Sequence, residues 1–257
     1  MTMTGSTRRR ILIALDMHSA TENGLSTLVS IARRLDASLS GLYFEDSQLM
    51  SVAGLPFSTE INYLSAEERV LEPEELLRIN RVASARARRL LEELTAQDEL
   101  DCTFAIESGE VAIQALSMQG CDVFLPGRKR QQLTLRQKAQ QYKQQLILIY
   151  ENDKVFEGML EVARLLAVNG MVSDITILSE TPLPANIAEK LPVEGVRLHF
   201  QWIASTHTDQ LHTLRLPPDS LMLMPKDVLT GLSERQLFEL LDQLPFPLML
   251  VDLTSQS

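Results

Sequence analysis

The sequence predicts an α/β fold, with parallel sheets covered by helices on both faces. Three observations predict it. Short apolar runs recur along the chain, several of them ending in an acid. Amphipathic segments at helical spacing alternate with these runs. The second half repeats the element order of the first. A strand buried on both faces reads as a continuous apolar run, and strands alternating with helices imply crossover units and a parallel sheet.

Residues Arg10 to Leu15, followed by Asp16, form the first such run. Thr21 or Asn23 then stands where a helix cap is wanted, and Leu25, Leu28, Val29, Ala32 and Leu35 repeat at helical spacing. Leu39 to Phe44 reads as the second strand, which completes a right-handed βαβ unit. Gly54-Leu55-Pro56-Phe57 breaks any helix in that stretch. Pro73 suits the first turn of a long helix reaching Gln97. Its apolar stripe runs through Leu76, Leu77, Ile79, Ala83, Ala87, Leu90, Leu91 and Leu94, and its five arginines from Arg78 to Arg89 make a solvated face. Cys102 to Ile106 and Cys121 to Leu125 read as strands three and four, with a short helix over Gly109 to Met118 between them.

The repeat is measurable. Leu146–Glu151 follows Ile11–Asp16 by 135 residues, and Ile175–Glu180 is matched to Ser40–Glu45 at that same shift. Val196 to Ile203 is the third strand of this half. Ser220–Met224 with Pro225 follows Cys121–Leu125 with Pro126 by 99 residues. The two shifts differ by 36 residues, which assigns most of the difference to an insertion at 46–100 in the first half. A helix over Leu232–Leu244 and a strand over Pro247–Leu253 end the second half. The first half has no such pair. Gln145–Tyr150 is read as opening the second half, and the polar stretch 128–143 as the remnant of the first half's last helix and strand. The expected division is therefore 1–143 and 144–257.

A net charge of −10 and a pI near 5.0 argue against a general binder of nucleic acid or anionic membranes, which needs clustered Lys and Arg. No segment reaches the length of about 18 apolar residues that a membrane span needs. Two cysteines, Cys102 and Cys121, give no disulfide framework and fit a reducing cytoplasm. His199, His207 and His212 stand at spacings that match no metal motif.

Several stretches resemble the universal stress protein family. They are the opening strand RRILIALD, the segment IARRLDASLSGLYFED, the GLPF stretch, and ESGEVAIQAL followed by CDVFLPG. The resemblance covers most of residues 8–127, and in the second half it rests on LILIYE, DITILSE, PLMLV and the element order. It implies two tandem lobes of the adenine-nucleotide α/β type, paired about a pseudo-two-fold axis. Nucleotide-binding members carry an acid at the end of strand one. After strand four they carry a G-x-x-G loop that later closes with G-S or G-T. Glycines let backbone N–H groups approach phosphates, and a helix N-terminus favours the negative charge.

Asp16 matches the acid and Gly127 the first glycine. Arg130 stands where the second glycine belongs, and Gln140 and Gln141 where the last glycine and hydroxyl belong. In the second half Glu151 takes the acid's place, Lys226 takes the first glycine's, and Gly231 is out of register. The candidate nucleotide-binding residues are therefore Asp16, His18, Ser19, Gly127, Arg128, Lys129 and Arg130. The last three would contact phosphate through side chains instead of backbone. No G-x-S-x-G elbow accompanies His18-Ser19, so no catalytic residue is expected.

What the resemblance implies, with its loops broken, is a non-enzymatic cytoplasmic protein with a role in stress response. It would be regulatory or protective through protein contacts, with a protein partner or homodimer and no cofactor. The alternative is a sensor that holds ATP, ADP or AMP in the first lobe. The apolar residues Leu49, Met50, Val52, Leu55, Phe57 and Ile61 belong to a segment that either folds over the sheet edge or docks on a partner.

Overall fold

A computed structural model describes residues 9–15, 22–45, 51–55, 58–61, 66, 68–70, 72–108, 115–126, 144–184, 186–187, 189–191, 194–204, 216–217, 220–244 and 246–253. Its strands are β1 (Arg10–Leu15), β2 (Ser38–Glu45), β3 (Thr59–Ile61), β4 (Glu68–Val70), β5 (Cys102–Ser108), β6 (Asp122–Leu125), β7 (Gln144–Tyr150), β8 (Val172–Ser179), β9 (Arg197–Trp202), β10 (Ser220–Pro225) and β11 (Leu248–Val251). Its longer helices are α1 (Glu22–Arg34), α2 (Pro73–Gln97), α3 (Asp153–Val168) and α4 (Glu234–Gln243).

Nine strands form one sheet in the order β5-β2-β1-β6-β11-β10-β7-β8-β9. Every neighbouring pair is parallel except β6 with β11, where Leu125 stands opposite Leu248 and Val123 opposite Leu250. The order therefore reads twice outward from that antiparallel seam, as β6-β1-β2-β5 on one side and β10-β7-β8-β9 on the other. The two expected sheets are one continuous sheet. The fifth strand of the second half, β11, lies beside the fourth strand of the first. The stretch 128–143, read as the remnant of the first half's own last strand, lies outside the described residues.

The register corrects one detail of the repeat. Ile11 pairs with Leu39, and Leu146 pairs with Ile175, so the second strands correspond at 136 residues rather than 135. The cause is an irregularity at the start of β8. Gln144 pairs with Val172 and Gln145 with Asp174, which leaves Ser173 as an extra residue. A slip of one residue moves every side chain to the other face. At 135 the buried Leu39 would correspond to Asp174, and at 136 it corresponds to the buried Ile175.

One face of the sheet packs beneath α1, α2 and α3, through Leu28, Leu91 and Phe156 among others. The other face packs against Ala115, Leu116 and α4, with Leu237, Leu240 and Phe246. α2 begins at Pro73 as its sequence predicts, and the insertion also holds the hairpin β3–β4, which the sequence did not suggest. Gly41 shows how closely α2 approaches. A Cβ there would stand 2.8 Å from both Leu91 Cδ2 and Phe104 Cδ2. The corresponding residue in the second half is the fully buried Ile177, in the core that α3 helps to cover.

Candidate functional site

Ligands of open α/β sheets sit beyond the carboxyl ends of the strands, at the point where strand order reverses. In the first half that point lies between β1 and β6, which are neighbours with Ile13 opposite Phe124. The described residues end there at Leu15 and at Pro126. Asp16, His18, Ser19, Gly127, Arg128, Lys129 and Arg130 all lie outside the described residues. What the fold gives them is chain position, directly after two neighbouring buried strands at the reversal point.

In the second half the equivalent point lies between β7 and β10, and its residues are described. Glu151 follows β7 and is exposed. Lys226 follows β10, in the place of the first loop glycine, and is buried to 5% exposure. Its Nζ donates to the carbonyl oxygens of Met118 and Cys121, the latter at 3.3 Å. Both carbonyls belong to the turn that leads into β6 of the first half. This geometry follows from the antiparallel seam, which sets the carboxyl ends of β10 and β11 beside the amino end of β6.

Buried polar groups surround the seam. Asp252 donates its backbone N–H to Asp122 Oδ1 at 2.9 Å, and its carboxylate accepts from Gly120 N–H at 2.7 Å. Gly120 has φ +71°, so the turn itself favours a residue without Cβ. Arg9 pairs with Asp122 through Nε. Buried carboxylates are tolerated only when hydrogen-bonded or paired in this way. In the sequence this cluster shows only as a Lys and two Asp next to apolar runs.

The chain after Lys226 also departs from a phosphate loop. Lys226–Leu229 is a turn of 3₁₀ helix, and α4 then starts from Ser233. Ser233 Oγ accepts from the Gln236 N–H, and Gln236 Oε1 accepts from the Ser233 N–H, a capping box. Two backbone donors at this helix start, the N–H groups of Ser233 and Gln236, are thus taken up by the chain's own side chains.

The other singled-out residues have separate settings. His199 Nε2 lies 3.1 Å from Asp174 Oδ1, and Arg197 binds the same carboxylate at 2.8 Å. The hydrogen bond from Arg197, then that from Ser173, holds the Asp174 carboxyl down at about 2. His207 and His212 lie outside the described residues. No group of three His, Cys, Asp or Glu among the described residues is arranged to hold a metal. Cys121 is buried, and burial pushes the half-buried Cys102 thiol upward, away from a reactive thiolate. No helix among the described residues is long and apolar enough to cross a membrane. In the segment from Ser47 to Asn62, Val52, Leu55 and Ile61 are exposed and Ala53 is buried, while Leu49, Met50 and Phe57 lie outside the described residues.

Neither a protein-family model nor a curated protein matches the sequence. Among solved structures, a universal stress protein from Archaeoglobus fulgidus DSM 4304 is similar over 94% of this chain and 96% of its own, at 9% identity and a TM-score of 0.50. A protein of the universal stress protein family from Burkholderia pseudomallei is matched over 78% of this chain and 99% of its own, at 14% identity and a TM-score of 0.25. With its strand order and the Archaeoglobus likeness, the chain has the fold of universal stress proteins.

Proposed function

We propose that this chain is a non-enzymatic protein of universal stress type, built of two lobes at 1–143 and 144–257, that works in the cytoplasm through protein contacts. The observation that carries the reading is Lys226. At the one loop position that can be compared, the residue expected to open onto phosphate is instead buried and bonded to the carbonyls of Met118 and Cys121. The nearby capping box supports it. Loss of two glycines from the first lobe's loop, at Arg130 and Gln140, points the same way.

The test is nucleotide release. Purified full-length chain is denatured, and the supernatant is assayed for adenine nucleotide by absorbance and mass. Less than a tenth of an equivalent is expected, and a near-stoichiometric amount would overturn the reading. The second reading, a nucleotide sensor using Asp16, His18, Ser19, Gly127 and Arg128–Arg130, would then stand. It draws support from the position of Leu15 and Pro126 at the reversal point. Incubation with ATP and a divalent metal addresses an enzymatic role, and no turnover is expected.

A further inference from the structure

Among the described residues β9 is an outer strand of the sheet, and its apolar side, packed at Leu198, is uncovered toward its carboxyl end. Phe200 is 47% and Trp202 64% exposed. They stand in register with Ile177 and Ser179, on the face that elsewhere lies beneath α1, α2 and α3. The first half shows what such a strand normally carries. With Leu39 corresponding to Ile175, Cys102, Phe104 and Ile106 of β5 correspond to Leu198, Phe200 and Trp202. There α2 lies over Phe104, with Leu91 beside it and the Arg88 guanidinium 5.1 Å above its ring, while Ile106 is exposed as Trp202 is. Only residues 180–196 join β8 to β9, too few to hold a helix of 25 residues.

Among the described residues no strand pairs with the far side of β9. Ile203 donates its N–H to the Ser179 carbonyl at 3.1 Å. Successive residues of a parallel strand turn their backbone groups to opposite sides. Leu198, Phe200 and Trp202 therefore turn theirs away from β8. β9 itself has no Pro, no Lys and no break in its register with β8.

We propose that β9 pairs antiparallel with β9 of a second copy of this chain, about a two-fold axis through Phe200. This register sets Phe200 opposite Phe200 of the second copy, and Leu198 opposite its Trp202. All three outward-turned residues are then paired, and their side chains form one apolar row, with His199 opposite Gln201 on the other face. Charge supports a second copy as the occupant. The strand has no carboxylate, although the chain carries −10 overall. Its one fixed charge, Arg197, is bonded to Asp174 and falls opposite Ile203 of the second copy, so no like charges face each other. A six-residue ladder is smaller than the roughly 800 Å² per partner of a standard interface, so the dimer dissociates on dilution. The pairing is independent of whether the first half holds a nucleotide.

The test is light scattering and sedimentation velocity of the full chain over a concentration series, with tryptophan emission read in parallel. Trp202 is the only tryptophan, so the emission reports on this strand alone. Mass is expected to rise from 28.9 kDa toward twice that value, with emission moving to the blue as the indole leaves water. Phe200→Lys and Phe200→Glu each place like charges on the axis and should weaken the dimer more than about tenfold, with circular dichroism unchanged. An equimolar mixture of the two variants should restore both mass and emission. If Phe200→Lys fails to fold, Trp202→Thr removes the adjacent pair and is read by scattering. A chain that stays monomeric throughout overturns the proposal, as does a dimer that survives these variants or a mixture that restores nothing.

Discussion

Arg34 and Asn169 exchange hydrogen bonds where α1 and α3 end. Arg34 Nε donates to the Asn169 carbonyl at 3.3 Å, and Asn169 Nδ2 donates to the Arg34 carbonyl at 3.1 Å. One residue ends the first helix of the first half, and the other caps the first helix of the second. The two halves thus touch through corresponding helix ends as well as through the β6–β11 seam. The residues are 135 apart, the shift that relates β1 to β7.

This reciprocity has a measurable consequence. Both sites are exposed, and a net hydrogen bond contributes about 0.5–1.5 kcal/mol. Arg34→Ala and Asn169→Ala should each lower unfolding stability by about that amount. The double variant should lose about the sum of the two, because each change removes a different bond, from one side chain to the other residue's backbone carbonyl. Urea unfolding of the three variants checks it, and a double variant that loses well short of the sum would count against two independent bonds.

Lys226 should matter more. Lys226→Met keeps the length of the side chain and removes the donor, which takes the lysine's hydrogen bonds from the Met118 carbonyl and the buried Cys121 carbonyl. An unmade buried hydrogen bond costs roughly 1–3 kcal/mol. Urea unfolding should show that loss, and hydrogen exchange should show earlier opening of the chain around β6 and β11. A variant as stable as the parent would mean that the seam does not depend on this side chain.

Much of the fold was legible in the sequence, because buried parallel strands announce themselves. β1, β6, β7, β10 and β11 are apolar runs with every described side chain near the seam buried, and α2 begins at its Pro73. The repeat was legible in β1 and β7 because both keep three inward residues at one spacing, Ile11, Ile13 and Leu15 against Leu146, Leu148 and Tyr150. The shift of β8 was not, since a single extra residue at Ser173 leaves no mark in a sequence of small and polar residues. The seam was not legible either. Which edges of two half-sheets meet depends on contacts between segments about 125 residues apart, such as Leu125 and Leu248. At Lys226 the sequence gives a missing glycine, but whether a lysine there faces solvent or a carbonyl depends on the partner across the seam. The first half's own candidate site adds nothing to this comparison, because its residues lie outside those described.

Asp174 gives a pH prediction. Its carboxyl is held at about 2 by Arg197, then Ser173, with His199 also contributing, against an ordinary value of 3.8. A depressed folded value means that the carboxylate stabilises the fold above the unfolded value and loses that contribution as pH falls through the folded one. The contribution is therefore full above about pH 4 and fades between pH 4 and about 2. Asp174→Asn should be less stable than the parent at pH 7, and the two stability curves should converge as pH falls through this window. The solvent exposure of Arg197 keeps the gap small. Curves that run parallel through the window would remove Asp174 from the account.

Gly41 yields the last prediction, and it separates the two halves. Gly41 and Ile177 occupy corresponding positions of β2 and β8, the first against α2 and the second in the core that α3 helps to cover. In Gly41→Ala the new Cβ meets Leu91 Cδ2 and Phe104 Cδ2 at 2.8 Å, and both atoms belong to side chains that pack the α2 interface. Overpacking of this kind typically costs about 1–3 kcal/mol. Relief must come from α2, because the strand on which Gly41 sits is paired on both sides. The expected result is a loss of that size in urea, with faster amide exchange in α2 than in α3. Ile177→Ala should instead cost about 2–5 kcal/mol through a cavity, and its faster exchange should fall in α3 and β8. If Gly41→Ala loosens α3 as much as α2, the covering helix is not what demands a glycine there, and the reason that Phe104 is covered while Phe200 is bare must be sought elsewhere.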